Sequence, residues 1–101
     1  MAKDVIETTD RALSTIGKAL AHPARVELLG LLAEGERCGC EFVPVVGRDP
    51  SVVSRHLAVL ARAGLIVARR DGVRMMWRLA SPDLPRVLSC LARLRCQRGA
   101  E

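Results

Sequence analysis

Apolar positions recur along this chain with two different periods, and the period changes near Leu65. In "TTDRALSTIGKAL", residues 8–20, Leu13, Ile16, Ala19 and Leu20 stand at helical spacing, which predicts a first helix starting near Thr9 or Asp10. "HPARVELLGLLAEG" predicts a second: Pro23 suits a first turn, Val26, Leu28, Leu29, Leu31 and Leu32 make a broad apolar face, and Gly35 ends it. "EFVPVVG" predicts a short helix ending at Gly47, irregular in its first half because of Pro44. Asp49 as cap and Pro50 at the first helical position then open "SVVSRHLAVLARAG", which runs to Gly64. Its inward stripe is Val53, Leu57, Leu60 and Ala61; Ser51, Ser54, Arg55, Ala58 and Arg62 face outward. "LIVARRDGVRMMWRL" comes next with a period of two, as two strands joined through Asp71-Gly72. From Asp83 to about Cys96, Leu84, Val87, Leu88, Leu91 and Leu94 share one stripe of a last helix, with Pro85 confining regular helix mainly to the residues after it.

These elements predict a mainly α domain with a small β-hairpin, in the order ααααββα, occupying residues 1–101 as a single unit. Half of the chain is apolar but only 2% is aromatic, so an aliphatic core is expected and base stacking on aromatic platforms is not. The 16 Lys and Arg exceed the 11 Asp and Glu, giving +5, which favours a polyanionic partner. No apolar run approaches the roughly 18 residues of a membrane span, and "MAKDVIETTDRAL" lacks a signal-peptide pattern, so a cytoplasmic protein is expected. In a reducing compartment the four cysteines are free thiols, metal ligands or redox sensors rather than structural disulfides. With His22 and His56 as its only histidines, and no phosphate loop or zinc-protease motif, the chain does not read as an enzyme. His22, before Pro23, reads as a helix-start residue.

A helix braced by its predecessor can enter the major groove of DNA, and a basic hairpin can reach adjacent phosphates or the minor groove. "LAHPARVELLGLLAEGERCGCE" and "VVSRHLAVLARAGLIVARRDGVRMMWRL" together resemble the ArsR/SmtB family of metal-responsive winged helix-turn-helix repressors, over roughly residues 13 to 80. The resemblance implies that Ser51, Ser54, Arg55 and His56 lie on or beside a DNA-reading helix and Arg69, Arg70 and Arg74 on its wing. Read singly, each arginine is a solvated charge; as a cluster they form a phosphate-binding surface. His56 either contacts phosphate or packs at the helix edge. Where family members often have Gln-Pro-Thr, this chain has Pro50, Ser51 and Val52, which bears on the operator sequence rather than on DNA binding. The resemblance also implies a homodimer on double-stranded, near-palindromic operator DNA. The leftover seam of the last helix, with the first helix, supplies a physical reason for it.

Cys38 and Cys40 stand where the family has its cysteine box, at the start of the brace helix. On a regular helix residues two apart point about 200° away from each other, so joint coordination competes with helix geometry there. Capture would shift or unwind the brace helix and weaken DNA binding. Soft thiolates select As(III) or Sb(III) as inducer, with Cd(II) and Pb(II) behind them. The family's arsenic sensors often have a third cysteine where this chain has Val43, so a third thiolate comes from Cys90 or Cys96 of the last helix, in this subunit or the second. Arg37 is positioned to lower a thiol pKa, opposed by Glu36 and Glu41. Two other readings keep parts of this picture: a thiol redox switch on the same fold, and a dimeric interaction module without DNA binding.

Overall fold

Turn and cap residues set the boundaries of the fold. The computed structural model describes the backbone of residues 3–47 and 49–99 and the side chains of residues 10–47 and 49–95. Helix α1 spans Lys3–Leu20, which starts earlier than the apolar spacing alone suggests. His22 caps α2, Pro23–Ala33: its Nδ1 accepts the Ala24 N–H at 3.1 Å, and Pro23 takes the first helical position, where no intrahelical donor is required. Gly35, at φ 147°, lets the chain reverse after α2.

Strand β1, Arg37–Cys38, comes next, then a 3₁₀ turn at Gly39–Glu41 and helix α3, Val43–Val46. Asp49 caps α4, Pro50–Arg62, by accepting the Ser51 N–H at 2.9 Å. Gly64 at φ 79° turns the chain into β2, Ile66–Asp71, and β3, Arg74–Leu79. Asp71 pairs with Arg74 across a two-residue loop, and Gly72 alone of its two residues has positive φ, the pattern of a II′ turn that suits strand twist. Helix α5 is Leu84–Gly99.

The predicted hairpin is therefore a wing, but the sheet has three strands. β1 lies antiparallel to β3, in the order β1-β3-β2, with Arg37 opposite Trp77 and Cys38 opposite Met76. Beneath it sits the core, aliphatic as expected except for Phe42, which is fully buried with Leu28, Leu29, Leu60 and Ile66 and joined by Val53 and Leu57 from the inward stripe of α4. Arg25 closes one side: its Nε and Nη2 donate to Ala19 O at 2.7 Å and Lys18 O at 2.9 Å, supplying partners and charge to the C-terminal carbonyls of α1. Apolar surface remains open at the chain's ends. Val87, Leu91 and Leu94 of α5 are 49–59% exposed and Leu13 of α1 is 61% exposed. No helix among the described residues is long and apolar enough to cross a membrane.

A candidate thiol site joined to a candidate DNA interface

Cys38 and Cys40 do not lie on the brace helix. Pro44 is tolerated only in a first turn, so α3 begins at Val43 and leaves both cysteines ahead of it. Cys38 has extended backbone, φ −67° and ψ 142°, and Cys40 belongs to the 3₁₀ turn. At this corner the side chains converge instead of diverging: the two Sγ atoms stand 2.6 Å apart, the Cys40 thiol donating to Cys38. The Cys40 N–H also points at Cys38 Sγ, at 3.4 Å, and Glu41 fixes the corner by accepting the Cys38 N–H at 2.7 Å. The expectation that joint coordination must break a helix is thus corrected, because the helix is not there to break.

The two thiols are chemically unequal. Hydrogen bonds from the Cys40 thiol and N–H hold Cys38 below the ordinary thiol pKa, with the charge of Arg74 adding to the effect. Its hydrogen bond to Cys38, together with burial, pushes Cys40 upward. Arg74 of the wing, rather than Arg37, is the cation that acts on the pair. Arg37 is occupied elsewhere, donating to Leu31 O at 3.1 Å and to Glu34 Oε1 at 3.2 Å. Of the two acidic neighbours, Glu41 does oppose thiolate formation. Glu36 instead grips Arg69 through two bonds of 2.6 and 2.8 Å, which lower its pKa.

The thiol corner borders a cavity of about 460 Å³ whose other walls are α4 and the wing. Gly39, Cys40 and Val43 line one side, Pro50, Val53, Ser54 and Leu57 the second, Met75 and Trp77 the third. Ser51, Ser54 and Arg55 are exposed on α4, and Arg70 and Arg74 on the wing, so these five share access to an external polyanion. Ser51 also donates its hydroxyl to Asp49 at 2.8 Å. Arg69 is tied to Glu36, and His56 is half-buried, its ring 4.5 Å from that of His22 and its Nδ1 3.4 Å from Arg25 Nη1. Cys90 lies apart from the thiol corner, exposed on α5 beside Val87, Leu91 and Leu94, and accepts from Arg93 at 3.2 Å. The side chain of Cys96 lies outside the described residues. Among the described residues no three of His, Cys, Asp and Glu come together as a metal site.

The chain has relatives in both sequence and structure. The family model of bacterial regulatory proteins of the arsR family matches residues 22–67. The uncharacterised HTH-type transcriptional regulator Rv0081 of Mycobacterium tuberculosis is 45% identical over 73 residues, 71% of this chain and 64% of the relative. Its crystal structure agrees with a TM-score of 0.79 at 33% identity, covering 98% of this chain and 96% of that one. The chain belongs to the ArsR family. The fold is the winged helix-turn-helix, shared with the homodimeric DNA-binding domain Mb0332, fragment 1–100, of Mycobacterium bovis: TM-score 0.83, 30% identity, 97% of this chain and 90% of that one. A probable mercury resistance operon repressor of Streptomyces lividans is 38% identical over 78 residues, 74% of this chain and 62% of the repressor. The chain spans less than two thirds of the length of these curated relatives, 64% for Rv0081 and 62% for the mercury resistance repressor.

Two features of this ArsR-family chain escape a reading of its sequence alone. Strand β1 is two residues long, too short to show any period, although its bracketing by Gly35 and Gly39 in "GERCG" marks a separate extended piece. Trp77 and Met75 stand in the sequence only as strand residues without a partner. It is the pairing of β3 with β1 that brings them over the thiol corner.

Proposed function

We propose that the chain is a homodimeric, DNA-binding repressor that leaves its operator when Cys38 and Cys40 capture As(III) or another soft ion. The observation that carries this reading is the thiol corner itself: two sulfurs 2.6 Å apart on a strand hydrogen-bonded to the wing. Thiolates favour soft ions, and one ion bonded to both sulfurs replaces their mutual hydrogen bond, so capture resets the geometry of the pair. Cys38 is paired with Met76, and β3 also carries Arg74, so movement at the sulfurs enters the wing directly. Ser51, Ser54, Arg55, Arg70 and Arg74 form the DNA-facing set, and Arg69 joins it when Glu36 releases it. His56 supports α4 from the side of α2. The exposed stripes of α5 and α1 bury each other across a two-fold axis, which sets two α4 helices on two half-sites. The third donor to the ion is solvent, or Cys90 or Cys96 of the second copy. Sb(III), Cd(II) and Pb(II) are the competing inducers, and the mercury resistance relative supports a soft-ion effector. Such a regulator works in the cytoplasm, where its DNA is.

A duplex selected by the reduced protein from a randomised library supplies the DNA probe. Binding must weaken steeply with salt, and arsenite must release the duplex from the wild type but not from the Cys38→Ser, Cys40→Ser double variant. Release that persists in the double variant overturns the proposal. The close approach of the thiols also supports a second reading, oxidation to a disulfide. That reading predicts release by peroxide and no thiolate-to-metal absorption when reduced protein meets Cd(II).

A further inference from the structure

Resting on the reading that this corner captures trivalent arsenic, we propose that its fitting ligand is a monosubstituted organoarsenical, R–As(OH)₂, whose hydrocarbon group occupies the adjoining cavity. Donor count is the first argument. Trivalent arsenic forms three bonds, whereas the described residues bring two thiols together and no third His, Cys, Asp or Glu. A carbon–arsenic bond completes the count with the two cysteines alone. No second subunit is needed.

The cavity is the second argument. Its volume, about 460 Å³, exceeds what a hydroxide requires, and it opens beside Cys40. Val43, Val53, Leu57, Met75 and Trp77 give it hydrocarbon and aromatic walls, with Ser54 as the polar side chain besides Cys40. A hydroxyl on arsenic would have few partners there, and an alkyl or aryl group would leave water for apolar surface. Gly39 helps keep the space open, since a Cβ at that position would stand 3.3 Å from Trp77 Nε1.

Capture is a condensation. Each thiol gives its proton to one arsenic hydroxyl, two As–O bonds break, two As–S bonds form, and two waters leave. Arsenic stays trivalent, so no oxidant or reductant takes part. The organic group then touches Pro50 and Ser54 at the start of α4 and Met75 and Trp77 on the wing, so one occupant acts on both DNA-facing elements.

The test titrates reduced full-length protein with arsenite and with phenylarsine oxide, each in competition with dithiothreitol to cancel intrinsic arsenic–thiol affinity. The phenyl probe is expected to gain at least about tenfold over arsenite on this normalised scale, from burial of its ring. It should consume two thiols per chain, leave Cys90 and Cys96 reactive, and change the emission of Trp77, the single tryptophan. Met75→Gln, at a partly exposed wall position, should cut the phenyl gain by about threefold and leave arsenite unchanged. Equal normalised affinities, a phenyl gain indifferent to Met75→Gln, or consumption of Cys90 and Cys96 by the phenyl probe would overturn the proposal while leaving thiol sensing intact. If neither probe consumes Cys38 and Cys40, the repressor reading falls with it.

Discussion

The thiol corner and helix α5 each present cysteine beside apolar side chains, yet they are built for different work. Cys38 is 7% exposed, hydrogen-bonded to its partner thiol and paired through its backbone to the wing, while Cys40 lines a cavity shared with α4. Cys90 is exposed on a helix, next to Arg93 and to the exposed Leu91 and Leu94. In the first environment a change at sulfur lies one backbone pairing away from the wing, which is what the proposed release of DNA requires. The second is an exposed apolar stripe of the kind that subunit contacts bury, with the sulfur at its side. What sets the thiol corner apart is therefore not proximity to an apolar groove but its backbone attachment to the wing.

The largest effect separates the two regions directly. Replacing Cys38 and Cys40 together by Ser should lower affinity for thiophilic arsenic by more than about a hundredfold, while Cys90→Ser changes it by less than about twofold. Calorimetry on the reduced proteins measures both. A large loss in Cys90→Ser would break the comparison, since it would make α5 a donor to the site from the second copy. Next in size is Leu91→Asp, which puts an unpaired charge on the open stripe of α5 at a cost of about 3–5 kcal/mol if that stripe is buried in a dimer. Sedimentation should then show monomers, and DNA affinity should fall at least about tenfold, because two half-sites are no longer held together. Arsenic capture at the intrachain corner should survive unchanged.

Acid offers a route to α4 that uses neither set of thiols. Burial, and then the charges of His22, Arg25 and Arg55, hold the His56 imidazole below its ordinary pKa. The unfolded chain takes up a proton near the ordinary value of 6.5, which the folded chain resists, so this contribution to stability is full above that pH and is lost as pH falls through it. Thermal melts from about pH 7.5 to 5.5 should show falling Tm in the wild type and a flatter profile in His56→Gln. The lowered carboxyl pKa values of Glu36 and Asp49 act at lower pH and leave this window clear. If acid released DNA as arsenite does, through His56 alone, the thiol corner would lose its standing as the distinct input.

Most of the fold was legible because its signals are local. Asp49-Pro50 and Gly64 bound α4, Val53, Leu57 and Leu60 are its buried stripe, and Asp71-Gly72 sits at the wing turn, each written within a few residues of where it acts. The candidate site was legible only in part, because its decisive contacts are long-range. Glu36 and Arg69 are 33 residues apart, and nothing in either neighbourhood announces their pairing. The same holds for Cys38 opposite Met76, and that pairing draws the cysteines off the helix on which their spacing would have set them apart.

The smallest expected effect tests how closely the corner and the wing are fitted. Gly39 does not need glycine for its backbone, since its φ is not positive, so Ala meets no conformational strain there. What an added Cβ meets is Trp77: Nε1 at 3.3 Å and Cδ1 at 3.6 Å, with Leu57 Cδ1 at 3.8 Å. The indole must give way by a few tenths of an ångström, toward the cavity or toward solvent. Gly39→Ala should therefore cost less than about 1 kcal/mol of stability, since a side chain at the cavity wall has room to adjust. Its arsenite affinity should match the wild type because the thiols keep their corner, whereas phenylarsine oxide should lose about two- to threefold as the methyl group claims part of its space. Trp77 emission should shift in the unliganded variant. A variant that weakens both probes equally would mean that Gly39 shapes the corner rather than the cavity, and the division between sulfur chemistry and apolar recognition would have to be redrawn at that residue.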